Sequence, residues 1–399
     1  MPYYIGDVIK EEKKLIARTP EKFRETGVDV RIDTCVEEVD DKAGDVRLAD
    51  GTRLPYDTLV LGTGTTPLMP GIPGEDREGV FILKKFTDAL RIKAWLREIP
   101  CRKVIIIGAG FIGMEMCEAI RNLGIETQIF HRGTLPVNRW DPEFSQVVLD
   151  ELRRHEVDFV TDAETKAIET GKDHRLRLVT NHGDAEADMI LMAVGVRPEV
   201  TLAKQMGLPL GQTGAIRVNF SQMTSREGVY AVGDCCESFH RVSGSWVNIP
   251  LGDIANKQGR VAGRNIGGGS MLFPGIVGAQ SFKVFDMEVA ATGLDEREAA
   301  ESGFHSVSLL SWGNAIAGSM PGNTKLGLKL IADRATGKLL GAQAVGKAGA
   351  VSRINTLSCA LWAGLTLDDV GYLDLAYAPP FGGSWDLIHT AAQALRRQI

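Results

Sequence analysis

Three glycines carry the clearest chemistry in this chain. Gly108, Gly110 and Gly113 stand in the run G-A-G-F-I-G, directly after the apolar stretch K-V-I-I-I (103–107) and before a helical pattern, Met114 to Asn122. The spacing suits an anionic pyrophosphate: the first glycine allows a tight turn, the second lets the phosphate approach the backbone, and the third lets helix and strand pack closely. The free amides of Phe111, Ile112 and their neighbours at the helix start, with the positive end of the helix dipole, then face the anion. A second strand, Glu126 to Phe130, completes a strand–loop–helix–strand unit.

About 20 residues past the loop, at the end of that second strand, an acid would bind a ribose diol. Here the chain has His131 and Arg132, with Arg139 further on. A guanidinium there suits a 2′-phosphate, so NADPH is expected, with NADH also accepted; solvated loop arginines are the alternative. Glu115, on the first helical turn, either only complements the helix dipole or also reaches the nicotinamide amide or a second cofactor. Asp234 closes the short apolar run V-Y-A-V-G-D (229–234), with Gly233 before it. A carboxylate at the carboxyl end of a parallel strand can hold a ligand hydroxyl; capping a following turn is the alternative. Cys235 and Cys236 are adjacent rather than spaced as a redox pair, and the seven histidines are scattered, so no metal site is expected. The segment Tyr377-Ala378-Pro379-Pro380-Phe381 fixes an extended aromatic loop before a last helix.

The elements that position these residues follow from an internal repeat. One copy covers residues 27–40 and 45–67, the other 156–169 and 176–198, with Val28 answering Val157, an offset of 129. Each copy reads as a strand, then a hairpin turning at Asp50-Gly51 or near His182-Gly183, then a buried apolar strand followed by glycine and proline. Only the second copy is preceded by its own strand and glycine loop. The equivalent of Gly108 would fall before residue 1, so the sequence reads as starting inside a nucleotide-binding domain. A helix is expected from about Asp253 to Ile266. After Met271, strands at 288–292, 306–311, 325–332 and 339–345 alternate with helical runs at 295–302 and 350–363, an α+β pattern with an antiparallel sheet.

Length and charge narrow the class. The 399 residues are 44% hydrophobic and 24% charged, with a net charge of −6, which suits a globular protein and leaves no basic surplus for nucleic acid. The longest apolar run, Val104 to Ile120, contains Glu115 and Glu118 and is not a membrane span. With no paired cysteine framework and no apolar signal core, a cytoplasmic location is expected.

Taken in order, the motifs resemble those of the FAD-dependent pyridine nucleotide–disulfide oxidoreductases, closest to the coenzyme A-disulfide reductase, NADH oxidase and persulfide reductase branch. The stretches are P-Y-Y-I-G, V-L-G-T-G-T-T-P, I-I-I-G-A-G-F-I-G-M-E, A-V-G-V-R-P, Y-A-V-G-D-C, P-L-G-D-I-A-N-K-Q-G-R-V-A-G and L-A-Y-A-P-P-F. The resemblance implies two interleaved Rossmann-like dinucleotide-binding domains and a C-terminal α+β dimerisation domain: 1–84 and 205–270 for FAD, 85–204 for NAD(P), and 271–399 for dimerisation. It implies Thr63 and Gly64 beside the FAD diphosphate or ribose, Gly233 and Asp234 at the ribityl chain, and Pro250, Leu251 and Gly252 near the flavin ring. Gly108 to Glu115 and Gly195 would hold the nicotinamide nucleotide, and Tyr377 would reach the partner's substrate site in a homodimer. Hydride would pass from NAD(P)H to flavin and on to a disulfide, a persulfide or oxygen. In this branch the redox cysteine lies just upstream of the P-Y-Y-I-G stretch, before Met1, and A-G-S-M-P-G-N (317–323) stands where relatives often carry an aromatic residue. An electron-transfer reductase serving a small redox protein, or a silent nucleotide-binding scaffold, are the other readings.

Overall fold

The computed structural model describes residues 1–399, which divide into two compact units. The first comprises Met1–Glu12, Leu68–Gly195 and Val277–Ile399; the second comprises Lys13–Pro67 and Val196–Ile276. None of the helices is long and apolar enough to cross a membrane.

The first unit holds a five-stranded parallel sheet in the spatial order Val80–Ile82, Met189–Met192, Lys103–Ile107, Glu126–Phe130, Asp158–Val160. Its central strand is β-branched and apolar because helices cover both faces of a parallel sheet. Val104, Ile105 and Ile106 are fully buried, each contributing roughly 1.5–3 kcal/mol of transfer free energy. The helix Phe111–Asn122 turns Met114, Cys117 and Ile120 inward at helical spacing and ends at Leu123-Gly124, where Gly124 takes the left-handed conformation that commonly stops a helix. The order of strands reverses between Lys103–Ile107 and Met189–Met192, the kind of position at which open parallel sheets take ligands.

The short helix Pro2–Ile5 packs against the helix Phe111–Asn122, and a Cβ on Gly6 would lie 2.8 Å from Ala119 Cα. The buried Lys93 ammonium fixes it by donating to the carbonyls of Tyr4 and Ile5, both at 2.8 Å, and to Asp7 Oδ1 at 2.7 Å. A cation on the last carbonyls of a helix satisfies acceptors that the helix itself leaves open.

The C-terminal part of this unit is a five-stranded antiparallel sheet, Gln280–Val284, Met287–Gly293, Leu339–Gly346, Lys325–Asp333, Ser306–Asn314, with helices Ala350–Ala363 and Leu387–Arg396 packed on it. Each strand expected here is found, extended by one to three residues at its ends.

The second unit shows what the repeat means. Its antiparallel sheet Val36–Asp40, Asp45–Leu48, Arg53–Pro55 repeats Thr165–Thr170, Leu176–Thr180, Ala185–Ala187 of the first unit. Both copies carry a register irregularity at the same place, Val36/Glu38 and Thr165/Ala167. One element departs from expectation. Residues 28–32 form no strand, and Val28 and Ile32 are exposed, whereas their counterpart Asp158–Val160 is a strand. Asp158–Val160 is held by its parallel neighbour Glu126–Phe130; the second unit has no such neighbour, and an isolated strand has nothing to bond. For the same reason Leu59–Leu61 pairs only with Val229–Ala231, leaving Val60 exposed where a buried strand was expected.

Candidate functional site

In the first unit the three glycines each meet a different constraint. Gly108 has φ +103°, and a Cβ there would lie 2.4 Å from Ala193 O. A Cβ on Gly113 would lie 2.4 Å from Gly108 O, so the helix start sits directly on the strand end. A Cβ on Gly110 would meet no heavy atom within 4 Å. Two glycines are therefore demanded by the fold, and the third leaves open space over the helix N-terminus, where a phosphate would sit. Gly195, at φ +117°, lies just past the neighbouring strand.

Phe111 does not face that space through its ring, which packs edge-on to Trp140 and against Phe282, both at 5.1 Å between centroids. Ile112 is partly exposed on the first turn. Glu115 stands near the Met1 amino group, Tyr3 and Glu118; burial pushes its carboxyl above the usual range, Met1 pulls it down and Glu118 adds to the rise.

At the end of the second strand the His131 imidazole is held below its ordinary pKa, first by burial and then by the Arg132 charge. Its buried Nε2 has no hydrogen-bond partner in the protein. Arg132 is exposed beside it. The exposed guanidinium at this strand end and the open glycine cradle fit a nicotinamide nucleotide. Arg139 is exposed as well, but lies within electrostatic reach of Glu298. The chain between Arg132 and Arg139 takes the second guanidinium toward Glu298, in the helix Glu296–Glu301.

The second unit gathers the other candidates at the carboxyl ends of its two parallel strands. Thr63 Oγ1 donates to Glu199 O at 2.6 Å, and Gly64 has φ +70° with open space where a Cβ would be. Gly233, at φ +78°, donates its amide to Gln258 Oε1 at 2.7 Å and opens the 3₁₀ turn that holds Asp234. Asn248 Nδ2 bonds Asp234 O at 3.0 Å. Pro250 and Leu251 lead into the 15-residue helix Gly252–Ile266, whose first turn packs on Gly233 through Ala255. A carboxylate and a long helix's N-terminal amides at one strand edge fit the ribityl and ring side of a flavin. This unit contains no strand–glycine loop–helix unit for the flavin's pyrophosphate.

Tyr377 belongs to an exposed aromatic segment with Tyr372, Phe381 and Trp385. Its loop is tied by Ala317 N donating to Pro379 O at 3.0 Å, and by the buried Arg353 guanidinium, which bonds Ala315 O at 2.9 Å and Asp386 Oδ2 at 2.7 Å.

One cluster was not read from the sequence. Glu151, His155 and Asp286 place their ligand atoms within 4.8 Å of one another. Each is already engaged: Glu151 Oε1 accepts from Asp286 N and lies 3.2 Å from His155 Nε2, Arg154 pairs with Glu151, and Lys347 holds Asp286 at 2.9 Å. The His155 ring stacks on Phe285. The group ties a helix to a hairpin, and its two cations already neutralise the carboxylates.

Comparison with known proteins decides the family. Residues 4–259 match the description "Pyridine nucleotide-disulphide oxidoreductase", and residues 279–387 match its dimerisation domain. The chain belongs to the pyridine nucleotide-disulphide oxidoreductase family. It is 36% identical over 398 residues to the NAD(P)H sulfur oxidoreductase (CoA-dependent) of Pyrococcus furiosus, covering 98% of this chain and 89% of that one. It is 31% identical over 405 residues to an NADH oxidase of Methanocaldococcus jannaschii, covering 100% and 90%. The solved NAD-dependent persulfide reductase of A. fulgidus superposes with a TM-score of 0.95 at 35% identity, over 100% of this chain and 75% of that one. This pyridine nucleotide-disulphide oxidoreductase is accordingly an enzyme of oxidation and reduction, and membership implies FAD and NAD(P)H as its cofactors.

Proposed function

We propose that this chain, as a homodimer, oxidises NADPH in preference to NADH and delivers the electrons by way of FAD to a small disulfide, a persulfide or dioxygen. The observation that carries the nucleotide half is the open cradle over Gly110 with the exposed Arg132 at the next strand end. FAD, when bound, supplies two-electron chemistry between a nicotinamide and an acceptor. The helix amides after Gly110 receive the pyrophosphate, and Arg132 pairs with a 2′-phosphate. Asp234 holds a ribityl hydroxyl, and the N-terminus of Gly252–Ile266 places its dipole toward the ring.

The acceptor classes follow the relatives, named as a sulfur oxidoreductase, an NADH oxidase and a persulfide reductase. Among the chain's own thiols, burial pushes Cys101 up to about 12 and raises Cys117 and Cys236 as well, so none of these three is a thiolate at neutral pH. Cys235 is buried with its sulfur against Leu61 O, while Cys35 and Cys359 are exposed and outside every motif above. Electron delivery therefore does not run through these thiols.

The deciding experiment supplies the full chain with FAD and follows nucleotide oxidation with dioxygen, then with coenzyme A disulfide, using NADPH and NADH in parallel. A kcat/KM about tenfold higher for NADPH, equivalent to roughly 1.4 kcal/mol, is expected. Equal values for the two nucleotides would remove the preference, and no oxidation with any acceptor would remove the reading.

A further inference from the structure

The helix Gly252–Ile266 turns Ile254, Val261 and Ala262 into the core at helical spacing, and one amide stands among them. Gln258 is 0% exposed on that apolar stripe. A buried amide costs free energy unless both of its ends are bonded. Its Oε1 accepts the Gly233 amide at 2.7 Å. Its Nε2 donates to Ser238 Oγ at 2.9 Å and reaches Glu237 O at 3.4 Å. A side-chain amide accepts at one end and donates at the other, which is what a backbone N–H on one side and a backbone carbonyl on the other require.

The bond to Gly233 falls where the sheet lets go of the chain. Val229–Ala231 is tied to its parallel neighbour Leu59–Leu61, and the Val232 amide still donates to Leu61 O at 3.0 Å. At Gly233, φ +78°, the chain leaves the strand for the 3₁₀ turn Gly233–Cys235. It meets other backbone again at Cys235, whose carbonyl accepts the Ile216 amide at 2.9 Å. Gly233 and Asp234 lie between these two points. Gln258 takes the amide of the first, and Asn248 Nδ2 donates to the carbonyl of the second at 3.0 Å and to Cys236 O at 3.1 Å. A Cβ on Gly233 would lie 3.2 Å from Ala255 Cβ, so the same helix also limits the turn sterically. The backbone that carries the Asp234 side chain is thus clamped before and after it by two side-chain amides.

We infer that Gln258 and Asn248 are positioning residues for the flavin's ribityl chain, setting the backbone from which Asp234 reaches a ribityl hydroxyl. The inference rests on the reading of Asp234 given above. A contact made by one carboxylate is sensitive to displacements of about 1 Å, so it depends on how well its own backbone is held. The free amides at the start of Gly252–Ile266, assigned above to the ring, belong to the helix itself and remain when either side-chain amide is lost. Loosening the clamp therefore costs binding of a flavin that carries the ribityl chain and spares the bare ring. If the two amides served packing alone, their loss would weaken both ligands alike.

The test measures Kd by flavin fluorescence on the full chain for FAD and for lumiflavin, which is the same ring with a methyl group in place of the ribityl chain. The parent, Q258M, N248A and D234A are compared. Amide hydrogen exchange at residues 233–236 is followed in the same proteins without flavin. Q258M keeps the side-chain volume while removing both ends of the amide, and N248A, at a half-buried position, serves should Q258M fail to fold. The expected result is an FAD Kd raised about tenfold in Q258M and about fivefold in N248A, a lumiflavin Kd changed less than twofold, and faster exchange at 233–236 in both. FAD binding lost in D234A but kept in folded Q258M and in N248A overturns the inference alone, as does equal weakening of FAD and lumiflavin or unchanged exchange. FAD binding that survives in D234A, or that the parent lacks, overturns the flavin reading and the inference with it.

Discussion

A side chain on Gly113 would begin 2.4 Å from the carbonyl oxygen of Gly108. The helix Phe111–Asn122 therefore rests on the end of its own strand, and the open space above Gly110 exists because this contact is bare backbone. The two outer glycines serve the fold, and the middle one leaves the open space that the proposed nucleotide site needs.

That division predicts opposite outcomes for neighbouring substitutions. G110A should leave the thermal midpoint within about 2 °C, because its Cβ enters open space, yet raise the Kd for either nucleotide at least tenfold by occupying the cradle. G108A forces a Cβ onto Ala193 O at φ +103° and should destabilise by about 2 kcal/mol or more. Calorimetry with nucleotide titration separates the two. A G110A protein that binds normally would place the pyrophosphate elsewhere.

R132E should weaken NADPH by one to two orders of magnitude and NADH by less than threefold. Losing a charge-assisted bond removes roughly 1.5–3 kcal/mol, and the new carboxylate adds repulsion against a phosphate. R139E should do less, since Arg139 already lies toward Glu298. Isothermal titration of both nucleotides checks this; equal effects from the two substitutions would show that the arginines act together.

Much of this was legible because the signals were local. The run K-V-I-I-I-G-A-G-F-I-G fixes strand, turn and helix within eleven residues, and the two hairpins announce themselves through Asp50-Gly51 and His182-Gly183. The failure at residues 28–32 was not local: the sequence has strand character, but a strand forms only with a neighbour. The pairing of Lys329 with Asp141 was hidden for another reason. Lys329 follows Asp141 by 188 residues in the chain, and a lysine in an apolar strand carries no mark that says which carboxylate it will meet. The left-handed Val137 was also beyond reading, since β-branched residues are the poorest candidates for that conformation.

The aromatic segment should be an interface. Phe381 is 77% exposed and stands with Tyr372, Tyr377 and Trp385 within the region matching the family's dimerisation domain. Aromatic anchors of this kind dominate interface cores. Light scattering should give twice the chain mass at micromolar concentration, and F381E should give a monomer with unchanged circular dichroism. A monomeric parent protein would rule this out.

Treatment with iodoacetamide under native conditions should label Cys35 and Cys359 and leave the rate of NADPH oxidation by the FAD-supplied chain unchanged within about 20%. Thiols raised by burial react slowly, and the exposed pair lies outside the motifs that carry the cofactors. Loss of rate in proportion to label would show that one of these thiols carries electrons.

Glu186 accepts the amides of Lys172, Asp173 and His174 at 2.8–3.0 Å, closing the turn between Thr165–Thr170 and Leu176–Thr180. These three bonds hold its carboxyl down to about 2, against roughly 4.3 for a free glutamate. A folded-state pKa below the unfolded value means stability that is fully present above about 4.3 and lost as pH falls through about 2. The turn matters for the site because His174 also meets Asp188, whose other oxygen accepts the amides of Arg102 and Lys103 at the start of the nucleotide strand. E186Q should therefore be less stable than the parent in urea at pH 7, with faster exchange at residues 171–175. The gap between the two proteins should narrow steadily from pH 4.5 to pH 3. A gap that stays constant over that range would mean the amides recognise the oxygen atoms alone and draw nothing from the charge.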